Sequence, residues 1–344
     1  MVLWIEYCKN SGSDKMATFA LWWFRWNGSN YESRMRVGDR EATVLDFKDR
    51  GFDYIIALDG EGGASNYSDS PSYDNGYTDG QELAMWLTFK LNGIPYYVTI
   101  PFYESHSTSN PRGDPRGEFN NSYWHGWIDG VLSVVDSNRK GFYWSLESVL
   151  QTTTGYGAGK VSVGFIKGLS QYVRGHGLKL LWIPALGGRT VDYLRRKSSL
   201  GDNPSYSIRQ YFDYIFCQPN YYQNSRMAPT NTPYDYSSLK DIVDWIYEGQ
   251  MYMEMEVDRT VLGINCGGNE DCPEGMRCNA GVCWENCRSS DPDVAIGYAG
   301  DYLQAQKDVL GGKFYHRAYY FSTDLRVIDE MENYCQNSLG DRYV

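Results

Sequence analysis

Short apolar runs alternate with longer amphipathic segments along almost the whole chain, and few folds accept such a series. The strand-like runs are VLWIEYC (2–8), FDYIIALDG (52–60), PYYVTIPFYES (95–105), GFYWSLES (141–148), LKLLWIPAL (178–186), FDYIFCQPNYY (212–222), MYMEMEVD (251–258) and KFYHRAYYFS (313–322). Between them, residues 79–93, 159–177, 237–250 and 295–312 carry apolar side chains at helical spacing. Residues 322–336 close the set, with Ser322 or Thr323 as a helix cap. Strand and helix in alternation imply a parallel sheet with right-handed crossovers. Eight such strands, with no GxGxxG after the first, predict an α/β fold of the (β/α)8 TIM-barrel class rather than an open dinucleotide-binding sheet. A barrel needs about 250 residues. The 344 residues, 42% of them hydrophobic, therefore read as a single barrel over 1–344 with long insertions. Residues 9–40, with LWWFRWNGSNY, fit either an extra hairpin or a loop and receive no assignment.

The joins are asymmetric. Helix-to-strand joins are short and mostly carry glycine, as at Gly51, Gly93, Gly141, Gly177, Gly249 and Gly312. Strand-to-helix joins are long, at about 61–79, 105–118, 187–207, 223–236 and 259–291. All the insertions then lie on the C-terminal face, where barrel enzymes build their sites.

The seventh run carries the sharpest signal. On a strand, Met251, Met253, Met255 and Val257 fall on one face and Glu254, Glu256 and Asp258 on the other. Acids on a buried strand are costly unless paired or used, so the three are expected to climb the inside of the barrel. In GFYWSLES, Tyr143, Ser145 and Glu147 share a face, and Glu147 ends the fourth strand. Two carboxyls facing each other across a barrel mouth suit glycoside hydrolysis, one as acid with a raised pKa and one as nucleophile or base. Glu147 and Glu256 are the expected catalytic pair, as acid/base and nucleophile, with retention the expected outcome. Glu254, one layer deeper, is the rival second carboxylate. Gln218 and Asn220 offer amides to sugar hydroxyls, and Tyr221 with Tyr222 offers stacking. Glu6 and Asp59 (with Glu61) point at the same mouth, and with Glu254 and Asp258 they complete the expected substrate-binding set.

Composition narrows the partners. A formal net charge of -11 argues against nucleic acid. No apolar run nears the roughly 20 residues of a membrane span. Aromatic content of 16%, with 30 Tyr and 11 Trp, suits sugar rings as well as a large core. The four histidines, His106, His125, His176 and His316, are scattered, with no HExxH, and no GxSxG elbow occurs. Neither a metal nor a cofactor is expected. The segment 69–82 is rich in oxygen ligands but lacks the EF-hand order. N-x-S sequons begin at Asn27, Asn66 and Asn120.

Five of the eight cysteines, Cys266, Cys272, Cys278, Cys283 and Cys287, crowd the insertion at 259–291 after strand seven. With no CxxC pair and no nearby His, a disulfide knot is expected over zinc, one member pairing outside it with Cys8, Cys217 or Cys335. Disulfides imply an oxidising compartment, and the expectation is a secreted or cell-surface protein. The opening MVLWIEYC lacks the form of a signal peptide, so either a leader was removed or the source is a thermophile with intracellular disulfides.

The ordered run of GFYWSLES, LLWIPAL, FDYIFCQPNYY, MEMEVD and RAYYF resembles an uncharacterised domain-of-unknown-function family, itself similar to (β/α)8 glycoside hydrolases. The resemblance spans about FDYIIALDG to the last strand. It implies a barrel and a polysaccharide-directed role, with Glu147, Gln218, Asn220, Glu254, Glu256 and Asp258 at the family's strand-end positions. Two departures stand out: WIPAL lacks the aromatic pair expected after WIP, and the Cys-rich insertion directly follows the nucleophile strand. The competing expectation is a non-catalytic carbohydrate-binding or surface-assembly barrel. Sugar, linkage, endo or exo action and oligomeric state stay open.

Overall fold

The computed structural model describes residues 16–59, 64, 72–101, 113–153, 160–311 and 315–344. Parallel strands close a barrel in the order β1 (Thr18–Trp26), β2 (Tyr54–Asp59), β3 (Tyr96–Ile100), β4 (Arg139–Trp144), β5 (Lys179–Trp182), β6 (Tyr214–Cys217), β7 (Tyr252–Glu256) and β8 (Arg317–Tyr320). The ring closes where β8 pairs with β1, Thr18 opposite Arg317 and Ala20 opposite Tyr319. Helices α1 (Val44–Asp49), α2 (Tyr73–Lys90), α3 (Tyr123–Ser133), α4 (Val163–Gly175), α5 (Val191–Lys197), α6 (Tyr236–Glu248), α7 (Pro292–Leu310) and α8 (Arg326–Tyr334) lie between and after the strands.

Seven strands fall within the runs read from the sequence or overlap them. The first does not. TFALWWFRW takes the place expected of residues 2–8, which lie outside the described residues together with Glu6 and Cys8. The reason is its alternation: Phe19 and Leu21 pack inside the barrel, while Ala20, Trp22 and Phe24 pack outward. The strand then turns back on itself, with Phe24–Trp26 pairing antiparallel to Tyr31–Ser33.

The core has two layers. Phe19, Leu21, Ile56, Leu58, Tyr97, Tyr143, Leu181, Ile183, Phe216 and Ala318 fill the barrel. At its N-terminal end the filling is aromatic: Phe19 stacks on Tyr54 at 4.7 Å and lies 4.9 Å from Phe216, and Tyr252 meets His316 at 5.1 Å. The outer layer between strands and helices includes Met251, Met253, Met255 and Val257 of the β7 segment.

Helix α2 starts at Tyr73, six residues before the expected 79, because Ser72 caps it by accepting from the Asn75 N–H. Residues 72–82 of the oxygen-rich segment are therefore the cap and first turns of a helix. Asp79 there accepts from Tyr123 Oη at 2.7 Å. The α2 and α3 backbones touch through glycines on both sides. A Cβ on Gly126 would sit 1.9 Å from the Tyr73 carbonyl oxygen, and one on Gly80 would sit 2.2 Å from that of Trp127.

Between β7 and α7 the insertion folds as a small hairpin, Arg277–Asn279 with Val282–Trp284. Two disulfides staple it, Cys266–Cys278 and Cys272–Cys283. The expected fifth partner is a correction: Cys287 is a buried free thiol, as are Cys217 and Cys335. It lies past the hairpin, where the chain has already turned back to the barrel and Trp284 Nε1 donates to its carbonyl at 2.6 Å.

Gly126→Ala is expected to destabilise the protein by about 2–4 kcal/mol, since backbone, not a movable side chain, occupies the space. Gly175→Ala at the end of α4, with open space around it, is expected to be neutral or stabilising by about 0.5–1 kcal/mol. Denaturant unfolding of both variants checks the contrast.

Candidate carboxylate site at the barrel mouth

Strand β7 sets the site. Its outward face is Met and Val, so its inward face carries Tyr252, Glu254 and Glu256 in rising order. Glu254 and Glu256 are each 1% exposed. The register places Glu254 beside Ala318 and Glu256 beside Tyr320 on β8. The small Ala318 leaves room for the deeper carboxyl.

Glu256 is surrounded by donors. Its carboxylate accepts from Asn220 N at 2.7 Å, Asn220 Nδ2 at 3.2 Å and Tyr302 Oη at 2.6 Å, and also from the Gln223 side chain. Asn220 can donate twice because its backbone is left-handed, φ 58°, a conformation Asn tolerates better than most residues. Its Oδ1 meanwhile accepts from Gly187 N at 2.6 Å, which ties the loops after β5 and β6 together.

Glu147 stands three residues beyond β4 and is half-buried. Its level is fixed by a row of bridges joining Ser148 to Ala185 and Ala185 to Gln218. Ala185 N donates to the Glu147 carbonyl at 2.8 Å. The Gln218 side chain reaches its carboxyl. The structure thus brings Glu147, Gln218, Asn220, Glu254 and Glu256 together.

All three glutamates are raised. Burial pushes Glu147 up to about 7, and the nearby Glu256 charge adds to this against the opposing influence of the Gln218 and Tyr143 side chains. Burial also lifts Glu256 to about 7, against the donors from Tyr302, Asn220 and Gln223. Glu254 lies well above the carboxylate range, through burial and then the charges of Glu256 and Glu147. Its Oε1 has no hydrogen-bond partner among the described residues. Such a group is neutral near pH 7, since an unpaired buried charge costs several kcal/mol.

Three expected ligands are placed elsewhere. Tyr221 is 3% exposed; its hydroxyl donates to Asp301 at 2.8 Å and its ring lies under the Arg288 guanidinium, so it stacks on protein rather than on sugar. Asp59 has the parity of Ile55 and Ala57, which face the helices, and its register partner Phe24 also faces outward. Asp258 is fully buried and accepts from Tyr222 Oη, Thr260 N and Asn286 N at 2.9, 2.9 and 2.7 Å. It anchors the start and end of the Cys-rich insertion. Glu6 lies outside the described residues.

Residues not read from the sequence complete the site. Tyr302 reaches Glu256 from helix α7, which no strand pattern could indicate. Trp23 and Tyr320 meet edge to face at 6.2 Å on the inward faces of β1 and β8. The Trp23 indole N–H is buried with no hydrogen-bond partner among the described residues. Correct placement of β1 would have revealed it.

No family model matches the chain. An uncharacterised protein of Methanocaldococcus jannaschii is 27% identical over 92% of this chain and 91% of its own length. Among solved structures, the chain is similar to a chitinase from Chromobacterium violaceum, with a TM-score of 0.47 and 10% identity over 95% of this chain and 100% of that one. It is also similar to an active-site mutant of Rhizomucor miehei β-1,3-glucanosyltransferase in complex with laminaritriose, with a TM-score of 0.39 and 14% identity over 90% of this chain and 88% of that one. Likenesses at these scores carry nothing about chemistry, and the barrel rests on the strand pairing of the chain itself.

The raised carboxyls predict a pH-dependent stability. Above about 4.5 the unfolded chain gives up protons that the folded protein still holds at these glutamates. Their contribution is therefore fully present below pH 4.5 and is lost as pH rises through about 7. Glu254→Gln, which mimics the neutral acid, is expected to flatten this fall in thermal melts between pH 5 and 8. An unchanged slope would place the buried proton elsewhere.

Proposed function

We infer that this protein is a glycoside hydrolase acting on a polysaccharide. The observation that carries the reading is the unequal treatment of two carboxyls at one mouth. Glu256 receives donors from Asn220, Tyr302 and Gln223, which favour its charged form. Burial lifts both carboxyls to about 7, so the difference lies in their partners: at Glu147 the Glu256 charge adds to the hold on the proton. The pair thus supplies a held anion and a held acid. Glu147 protonates the glycosidic oxygen as the bond breaks, while the Glu256 carboxylate attacks the anomeric carbon. Glu147 then takes a proton from water, which displaces Glu256, so configuration is retained. Gln218 holds Glu147 and Asn220 holds Glu256, and Trp23 with Tyr320 offers aromatic surface to the sugar. The two disulfides favour a secreted or cell-surface setting, and residues 259–291 are read as an insertion within one barrel.

A second reading is a non-catalytic glycan-binding barrel. The engagement of both Glu256 oxygens by protein donors favours it, because a purely structural carboxylate would be held the same way.

Glu147→Gln and Glu256→Gln are each expected to lower turnover of a responsive polysaccharide by about 10²–10⁴-fold with the melting profile intact. NMR of the first-formed product should show the anomer of the substrate. Glycan binding that persists without turnover in the unmodified protein would select the binding reading. Tyr302→Phe removes a donor to the charged form of Glu256, so the acid limb of the kcat profile should move to higher pH.

A further inference from the structure

Where the Cys-rich insertion returns to the barrel, Arg288 meets the loop between β6 and α6 at several points. Its backbone N–H donates to the Tyr222 carbonyl at 2.9 Å. Its Nη1 donates to the carbonyls of Asn224 at 3.2 Å and Tyr234 at 2.9 Å. The guanidinium fills the corner between two near-perpendicular rings, 4.0 Å from the centre of Tyr221 and 3.6 Å from that of Tyr298 on α7. A planar cation can lie against rings and reach two carbonyls at once, which a lysine ammonium does poorly.

Each carbonyl that Arg288 holds belongs to a residue one hydrogen bond from the surroundings of Glu256. Tyr222 N donates at 2.9 Å to Tyr302 Oη, which donates to Glu256 at 2.6 Å. Asn224 N donates at 3.0 Å to the carbonyl of Asn220, whose backbone and side-chain N–H groups both reach Glu256. Tyr234 Oη donates at 3.1 Å to the carbonyl of Pro219, the residue before Asn220. Gln223, which adds its own side chain at Glu256, lies between two of these anchor points. Arg288 is itself placed by the base of the insertion. Asn286 N donates to Asp258 at 2.7 Å, and Trp284 Nε1 donates to the Cys287 carbonyl at 2.6 Å.

We propose that Arg288 is a positioning residue: through the β6–α6 loop it holds the donors of Glu256 at bonding distance. Arg288 bonds the loop and not the carboxyl, so its action is indirect. The consequence for turnover rests on the glycoside hydrolase reading of Glu256; the effect on the carboxyl does not. Titratable groups that feel the Glu256 charge include Glu254 on its own strand, Glu147 across the mouth, and the phenols of Tyr234, Tyr302 and Tyr343. Burial pushes all three phenols well up, so they stay neutral where Glu256 titrates. The groups facing Arg288 are Tyr221, Tyr234, Cys287 and Asp301, and Asp301 accepts from Tyr221 Oη at 2.8 Å.

The test follows the Glu256 carboxyl by carbon NMR of protein labelled at its glutamate carboxyls, the signal being identified by its absence from Glu256→Gln. Arg288→Lys keeps the charge but loses the fit to the ring corner and the paired carbonyls; Arg288→Met loses both. In each, Glu256 is expected to titrate about one pH unit higher, the scale of one weakened hydrogen bond to a charged group. The acid limb of kcat should move up with it, so turnover below the limb falls about tenfold while KM changes little. Arg50→Met breaks the ion pair of Arg50 with Asp329 in the helix layer and should leave the titration as it is. Where Arg288→Met does not melt as a folded protein, Tyr298→Leu, which strips one ring from the corner, is read instead and should shift Glu256 in the same direction. Parent-like titration in either Arg288 variant, or an equal shift in Arg50→Met, would overturn the proposal. The two readings fail separately. A shifted Glu256 in the Arg288 variants, with no glycan turned over by the unmodified protein, keeps the role of Arg288 and removes the hydrolase. Turnover by the unmodified protein, with Glu256 titrating unchanged in the variants, does the reverse.

Discussion

A carboxylate inside a barrel must be neutralised or surrounded by donors, and the β7 segment puts two on its inward face with a third nearby. The upper part of the fold answers that demand. Asn220 adopts left-handed backbone to give Glu256 two N–H groups, and Tyr302 comes from helix α7 to give it a third donor. Glu254, with no hydrogen-bond partner for Oε1 among the described residues, meets the same demand by keeping its proton. One strand thus shows both solutions, two residues apart.

The lower half of the barrel makes the opposite choice. Phe19, Tyr54, Tyr97, Tyr214, Phe216 and Tyr252 fill it with rings in contact, and His316 closes against them. Polar side chains become frequent only toward the C-terminal rim. This gradient from aromatic floor to charged mouth gives the site a rigid base and a low local dielectric, in which a proton on Glu147 is held more firmly than in water.

Much of this was legible in the sequence, for definite reasons. The two-residue period of MYMEMEVD put Glu254 and Glu256 inside correctly, because Met on the alternate positions has only one place to go. The strand series gave the barrel because each run keeps its own period. Asp59 and Tyr221 were judged by their nearness to a strand end, whereas parity and packing decide where a side chain points. TFALWWFRW lay in the stretch 9–40 that fits either an extra hairpin or a loop, and its outward members Ala20, Trp22 and Phe24 fit the helix layer. The first turns of α2 lay in the oxygen-rich segment 69–82, where Gly76 and Gly80 serve close backbone contact with α3. Tyr302 had no local signal, since its role exists only through a contact 46 residues distant.

The stapled hairpin is joined to the barrel at its base and through the Arg25–Glu274 ion pair at 3.0 Å. Asp258 grips both of its ends, and Arg259 with Ser322 fixes Glu285 on the same side. Its far end turns through Ala280 and Gly281, both left-handed, with Gly281 having open space around it. The module therefore behaves as a cassette. A peptide spliced into that tip would stand beside the mouth without straining the carboxylates, which makes the tip a natural place to attach a reporter or an added recognition element.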